Sequence, residues 1–558
     1  MGINIGTIID RLHKERMLLA ILTMVGLLGA VDVFCNSVEK GDNIILLSIK
    51  WFSISFLFAS ILSYLMGTEK KPIKWITSSI IALYGLLCIA NAVSFLFWGF
   101  GVSCRMFTII METNSREVGE FINYTIGNFT STDFLLRFGV FALITAAITL
   151  GCKKMGGKAF LLTSLPIAFI GLISTFIQLQ STTEKKNANI FIRCALDLPR
   201  TLNSMQDYNT TQQLSCGQEN LYETLQGNGD IDNIIIVIGE SASRKHHSIY
   251  GYQLPTTPLL EKKKNEIIVF NDVTATYSTT SESMKMFMTY KNSITNKDDW
   301  FKYPNILTIF SKLGYKTYWI SNQEKNGFIG GCESFFSDKC DTSKFVGMLF
   351  TGDNLQEKYD DALLPELSNA MKEDNPKKLI ILHMMGSHGE YYRRYPKEFA
   401  HFTDENIEEA GRSFLTKKKK QLISEYDNSI LYSDMIISNM IDTLKKFEEK
   451  KSLFVYFSDH GEEMYDVRDF AGHSKGYVDI PFIIWASDTL QKQMPDKYKA
   501  MSESTEKPIS IENLPDFLLG ISNVQYKYYD STFDFTSPNY KLEERYADDK
   551  PYHKGQCE

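Results

Sequence analysis

The stretch IIIVIGESASRKHHSIYGY, residues 234–252, opens with five isoleucine or valine residues and stops at Gly239-Glu240. A β-branched run without polar interruption reads as a strand buried on both faces, as in a parallel sheet covered by helices. Ligands in such sheets sit outside the carboxyl ends of the strands. A carboxylate placed directly after the strand is therefore a candidate site residue. Working outward, short apolar runs at 267–270, 316–320, 379–383, 453–457 and 481–485 alternate with amphipathic stretches near 305–313, 359–371 and 422–447. The alternation predicts an α/β domain with a mostly parallel central sheet over residues 231–558, long enough to bury its own core.

Residues 1–180 read differently. Five apolar runs, near 17–34, 44–66, 75–100, 134–152 and 159–178, approach or exceed the roughly 18–20 residues that cross a bilayer core of about 30 Å. With four runs following it, the first reads as a span rather than a cleaved signal. Arg11, Lys14 and Arg16 precede it, Lys70, Lys71 and Lys74 separate the second and third runs, and Lys153, Lys154 and Lys158 separate the fourth and fifth. Positive loops stay cytoplasmic. The expectation is a five-helix transmembrane domain with its N-terminus inside and the C-terminal domain outside. Residues 101–132 then form an outer interfacial segment, and the polar residues 181–230 a linker.

The net charge of −7 and the lack of a basic stripe argue against a nucleic-acid partner. Six of the nine cysteines fall in segments assigned to the outside, where disulfides form. Cys332 with Cys340, and Cys194 with Cys216, are the candidate pairs. The chain is read as a monomer.

Three polar clusters follow apolar runs: TATYSTTSESMKMFMT at 274–289, LIILHMMGSHGEYYRRYP at 379–396, and LFVYFSDHGEEMYDVRDFAGHSKG at 453–476. The last repeats the opening arrangement, a strand ending in Asp459-His460-Gly461. Glu240, Asp459 and His460 make an oxygen, oxygen and nitrogen set, to which His388 and His473 can add imidazoles. Such a set without thiolate suits zinc, and manganese less well. Along a continuing strand Asp459 and His460 would face opposite ways, so sharing one metal requires the strand to end there. His246 and His247 read as surface residues and His383 as a core histidine. A divalent cation activates a hydroxyl as nucleophile while polarising a phosphoryl oxygen, and the threonine-rich cluster can supply that hydroxyl.

Taken in order, IIIVIGES…YGY…TTP, the threonine-rich segment, WISNQ, HMMGSHGEYYRRYP and SDHGEE…GHSKG…IPFIIW resemble the membrane-anchored phosphoethanolamine transferases. METNSREVGEF at 111–121 is similar to a further family segment. That family belongs to the alkaline phosphatase/sulfatase superfamily and includes the lipid A-modifying enzymes behind polymyxin resistance. The resemblance implies a bacterial inner-membrane enzyme with a periplasmic catalytic domain. It implies one zinc held by Glu240, a threonine, Asp459 and His460, with His388 and His473 beside it, on a second zinc or on the transferring phosphoryl group. The family pattern of a serine three residues after the nucleophile and a hydroxyl residue nine after selects Thr280, through Ser283 and Thr289, with Thr279 in reserve.

The implied reaction moves phosphoethanolamine from phosphatidylethanolamine through a phosphothreonine-type intermediate to an envelope acceptor. That acceptor is lipid A, core sugar, periplasmic glucan, another glycan or a protein. Lys325, after WISNQ, is a candidate contact to the donor. The rival readings are a phosphoglycerol transferase using phosphatidylglycerol and a non-catalytic envelope scaffold.

Overall fold

The computed structural model describes residues 5–31, 44–98, 143–151, 153–154, 166–170, 219–296, 298–323, 332–351, 354–464, 475–541 and 544–552. The chain divides into two compact units, Met1–Asp207 and Tyr208–Glu558.

The first unit contains helices α1 (Ile5–Lys14), α2 (Arg16–Leu28), α3 (Ile44–Met66) and α4 (Lys71–Trp98). Among the described residues two helices are long and apolar enough to cross a membrane, Ile45–Met66 and Lys71–Ser94, with mean hydropathy 2.0 and 1.9. The 23 residues of α3 reach about 34 Å at 1.5 Å per residue, enough for a bilayer core. Helix α2 is apolar but only 13 residues long. It packs on α3 and α4 through Leu19, Leu22, Ala59, Leu62 and Tyr84. Of the fourth and fifth apolar runs, residues 143–151 and 166–170 are helical. The remainder, the interfacial segment 101–132 and linker residues 181–218 lie outside the described residues.

The second unit is built on a seven-stranded sheet: β1 (Asn233–Gly239), β2 (Ile267–Val269), β3 (Lys316–Ser321), β4 (Thr342–Phe345), β5 (Lys378–His383), β6 (Ser452–Ser458) and β7 (Phe482–Ala486). Their spatial order is β2-β7-β6-β1-β5-β3-β4. All neighbours are parallel except β7, which runs against both β6 and β2. The unbroken apolar strands are explained by two cores. Ile234, Ile236 and Ile238 of β1 point into one cluster with Leu379, Ile381, Val455 and Phe457. Ile235 and Val237 point into the other with Ile380, Leu382, Phe454 and Tyr456. The period of two divides each strand between faces.

Helices α5 (Thr280–Phe287), α6 (Ile306–Lys312) and α9 (Leu514–Ile521) contribute to the first core, and α7 (Leu363–Lys372) and α8 (Lys417–Leu444) to the second. The six strands and three helices expected from hydropathy correspond to observed elements. Three of these elements were not expected from hydropathy: β4, α5 and α9. Strand β4, TSKF, is a short edge strand with no apolar run. Helix α5 carries too many hydroxyls to read as helical.

Cys332 and Cys340 do not join in a disulfide, contrary to expectation. The Cys340 thiol instead lies 3.7 Å from the Phe336 carbonyl. Cys194 and Cys216 lie outside the described residues.

Glu512 is buried and accepts from the Ser293 amide and hydroxyl at 3.0 and 2.9 Å. Burial raises its pKa from 4.5 to about 7. The folded state therefore holds a proton over a window in which the unfolded chain has released it. Its stabilising contribution is full below pH 4.5 and lost as pH rises to about 7. In melting measurements across that window, Glu512→Gln should flatten the decline relative to the wild type.

Candidate metal centre and nucleophile

Parallel register sets the geometry. Ile238 of β1 pairs with His383 of β5 and with Phe457 of β6, and Gly239 pairs with Ser458. The carboxyl ends of three adjacent strands are thus level, and the residues just past them, Glu240 and Asp459-His460, meet. The chain leaves the strand at Ser458, so Asp459 and His460 bring their side chains to one place instead of opposite faces.

The turn after β1 is held tightly. Ser241 has a left-handed φ of 56°. Its amide donates to Asp459 Oδ1 at 3.1 Å and its hydroxyl to Glu240 Oε1 at 2.6 Å. The Tyr426 hydroxyl donates to the Ser241 carbonyl at 2.7 Å and accepts from the Ser243 amide at 2.8 Å. Gly386, at φ 50°, lies against the Glu240 backbone, where an added Cβ would come within 2.8 Å of the Glu240 carbonyl oxygen.

Glu240, Asp459 and His460 offer ligand atoms that all lie within 4.8 Å of one another. His460 Nδ1 donates to the Gly461 carbonyl at 2.7 Å, which leaves Nε2 facing the carboxylates. That atom is 3.4 Å from Glu240 Oε1 and 3.6 Å from Asp459 Oδ2. Asp459 Oδ1 accepts the Ser241 and His460 amides, whereas the buried Oδ2 has no hydrogen-bond partner among the described residues. Buried carboxylate oxygens are ordinarily satisfied. An orphan aimed beside an imidazole nitrogen and a second carboxylate fits a cation, and the two-oxygen, one-nitrogen donor set fits a divalent metal.

The electrostatics agree. Burial and the neighbouring Glu240 charge push Asp459 up to about 6. Burial disfavours the charged imidazole of His460, but Asp459 and Glu240 outweigh it and raise its pKa to about 10. Burial likewise opposes ionisation of Glu240, yet His460 holds its carboxyl well below the usual range. Two buried acids around one base make a site that favours positive charge.

Thr280 is the first residue of α5, and Thr279 is its N-cap residue. The Thr280 hydroxyl donates to Glu240 Oε2 at 3.1 Å and lies 3.5 Å from His460 Nε2. No hydrogen bond from the Thr279 side chain caps the helix. Ser283, one turn on, donates to the Asp459 carbonyl at 2.6 Å and ties α5 to the turn after β6.

His388 follows Ser387, whose amide donates to the Glu240 carbonyl at 2.9 Å. It is near enough for its charge to favour ionised Glu240. His473 and Lys325 lie outside the described residues. Gln323 was missed as a site residue, although it ends the WISNQ motif. Its Nε2 lies 3.1 Å from both Glu240 Oε2 and His383 Nε2. His383 is buried as expected and pairs with Glu333 through Nδ1 at 2.9 Å.

The surface reading of His246 and His247 is corrected: both are buried. Their segment, RKHHS, looks solvated because its cations dominate the composition. His246 instead turns inward to Asp427 Oδ1 at 2.6 Å.

Residues 232–524 match the Sulfatase family model. Over 331 residues the chain is 30% identical to phosphoethanolamine transferase EptC of Escherichia coli O18:K1:H7, covering 58% of this chain and 56% of that protein. The match thus spans little more than half of the curated relative's length. The C-terminal periplasmic domain of Escherichia coli EptC, solved in complex with Zn, aligns at TM-score 0.53 and 28% identity over 59% of this chain and 92% of that domain. The integral membrane lipooligosaccharide phosphoethanolamine transferase A of Neisseria meningitidis aligns at TM-score 0.65 over 92% of this chain and 98% of that protein. Its 18% identity makes that a likeness of fold.

Proposed function

The chain belongs to the sulfatase family, and from that premise we propose that it transfers phosphoethanolamine from phosphatidylethanolamine to a cell-envelope glycolipid or glycan. The observation that carries this reading is the Thr280 hydroxyl aimed at the Glu240–Asp459–His460 cluster. The relatives named as phosphoethanolamine transferases and the Zn complex of one periplasmic domain support it. We place the enzyme in a bacterial inner membrane, multi-pass, with its N-terminus cytoplasmic and its catalytic unit periplasmic. The basic loops and apolar helices support that placement.

Glu240, Asp459 and His460, with the Thr280 oxygen, would hold one zinc. A bound zinc supplies Lewis-acid stabilisation of charge on a phosphoryl oxygen and lowers the cost of ionising a hydroxyl. Thr280 Oγ1 attacks the phosphorus of the donor, and its proton passes to water, since Glu240 is held too acidic to keep it. The bond from phosphorus to the diacylglycerol oxygen breaks, and diacylglycerol leaves with a proton. Phosphoethanolamine is then esterified to Thr280. An acceptor hydroxyl or phosphate oxygen attacks the same phosphorus in the second step, restoring the Thr280 hydroxyl. His388 and His473 are assigned to the phosphoryl oxygens, as hydrogen-bond donors or around a second zinc, and Lys325 to the donor headgroup.

The test is intact mass spectrometry of the zinc-loaded full chain incubated with phosphatidylethanolamine and no acceptor. A mass gain of one phosphoethanolamine should appear in wild type and Thr279→Ala and be absent in Thr280→Ala. Loss only in Thr279→Ala moves the nucleophile by one residue. An adduct formed only with phosphatidylglycerol replaces the reading with a phosphoglycerol transferase. No adduct and no diacylglycerol release from either lipid leaves a scaffold.

A further inference from the structure

Among the described residues of the second unit, three large hydrophobic side chains are exposed: Tyr359, Tyr392 and Phe414. Phe414 is the most exposed at 76%, and Tyr392 follows at 53%. Single exposed apolar residues are ordinary, but these two share an address. Their chain neighbours, Tyr391 and Leu415, belong to one hydrophobic cluster that also contains Ala242 and Met464. Ala242 lies just after Glu240, and Met464 shortly after His460. The backbone that carries the two exposed aromatics is therefore anchored on the cluster that flanks the candidate metal centre.

The chain around Phe414 is cationic. Arg412 reaches the Met464 carbonyl at 3.1 Å. Helix α8 then opens with Lys417, Lys418, Lys419 and Lys420. The side chain of Lys417 is 85% exposed, Lys418 is exposed and Lys419 partly so. Cations at a helix N-terminus oppose the helix dipole, and folding alone favours acids there. Acidic groups of this segment lie among these cations. Asp404 lies 3.7 Å from Lys417, Glu408 pairs with Lys420, and Glu405 and Glu409 are exposed on the turn before. Gly411, at φ 86°, breaks the helical path after them, so that Phe414 and the lysines follow a change of direction.

Exposed Tyr and Phe combined with lysines is the chemistry of a bilayer interface. Rings of this kind settle at headgroup level, and lysines are drawn to anionic lipid phosphates. We propose that this rim docks the catalytic unit onto an anionic phospholipid surface, with Phe414 and Tyr392 among the headgroups and Lys417–Lys419 over the phosphates. The inference rests on the reading above that the donor is a lipid, and states how the metal centre meets it. Docking would hold the turns after β1 and β6 beside the headgroup layer, shortening the path from a lipid phosphodiester to Thr280.

The test is hydrogen exchange of the full chain in nanodiscs of phosphatidylcholine alone and in nanodiscs that also contain phosphatidylserine, an anionic lipid that is neither candidate donor. Amides in residues 404–422 should exchange more slowly in the anionic nanodiscs at low salt and lose that protection at high salt. The triple variant Lys417→Glu, Lys418→Glu, Lys419→Glu should lose it at low salt as well, its docking weakened roughly a hundredfold. Phe414→Ser, which disturbs no core residue, should weaken protection while keeping the melting temperature. Equal exchange in the two nanodiscs overturns the proposal. Protection that appears only with added phosphorylated glycolipid assigns the rim to the acceptor and overturns the phospholipid surface. The readout does not depend on catalysis. Docking without a Thr280 adduct counts against the transfer reaction alone, and an adduct without docking counts against the rim alone.

Discussion

Asp459→Asn should give a folded protein that retains no tightly bound zinc and turns over phosphatidylethanolamine roughly 10³-fold or more slowly than wild type. The substitution is nearly isosteric, so its effect can be followed atom by atom. Asp459 Oδ1 accepts two amides, from Ser241 and His460, and an asparagine oxygen in that position keeps both. What changes is Oδ2, the buried oxygen without a hydrogen-bond partner among the described residues. An NH2 group there turns a lone pair into a donor and repels a cation.

The same variant should be at least as stable as wild type when both are metal-free. Burial and the Glu240 charge push Asp459 up to about 6, so at neutral pH the metal-free protein carries an unfavourable charge that asparagine lacks. Elemental analysis for zinc, melting of the metal-free forms and diacylglycerol release distinguish loss of metal from loss of fold. Zinc retained at wild-type stoichiometry would remove Asp459 from the ligand set.

The sheet and the Glu240–Asp459–His460 cluster were readable from the sequence for one physical reason. Strands buried on both faces leave long apolar runs, and a charged residue immediately after such a run stands out. Glu240 and Asp459-His460 announce themselves in this way, and parallel register then brings their strand ends level. The supporting groups have no such signature. Tyr426 lies within a 28-residue helix, and its contact with the turn after β1 joins residues 185 apart in sequence. His246 sits between lysine and histidine, so local composition gives it a surface character that tertiary burial overrides. Gln323 acts through an amide, a group whose partners only the folded chain reveals. Helix α5 forms although threonine and serine are weak helix formers. Ser283, Met284 and Phe287 bury one of its faces, and the site uses its other end.

Asp427→Ala and Tyr426→Phe, adjacent on α8, should fail in different ways. Asp427 and His246 are both fully buried, and the carboxylate takes the imidazole Nδ1 at 2.6 Å and the Tyr252 hydroxyl at 2.8 Å. Removing it takes the carboxylate from the buried His246 imidazole and from the half-buried Tyr252 hydroxyl, which costs about 3 kcal/mol or more. A fall of several degrees in melting temperature should follow, with or without zinc. Tyr426 carries less of the fold and more of the site. Its hydroxyl links the Ser241 carbonyl to the Ser243 amide and so holds the left-handed Ser241 that follows Glu240. Without that link, Ser241 can relax out of a conformation that costs of order 1–3 kcal/mol, and Glu240 Oε1 loses the orientation set by the Ser241 hydroxyl. Tyr426→Phe should therefore weaken zinc binding about 10–100-fold, measured by competition with a chelator, with a smaller change in melting than Asp427→Ala. His246 sits edge-on to Tyr426 at 5.0 Å, so the two networks touch, and part of the Asp427→Ala effect should appear as weakened zinc binding too. Unchanged zinc affinity in Tyr426→Phe would show that the turn after β1 holds Glu240 without its clamp, leaving Tyr426 a role in packing alone.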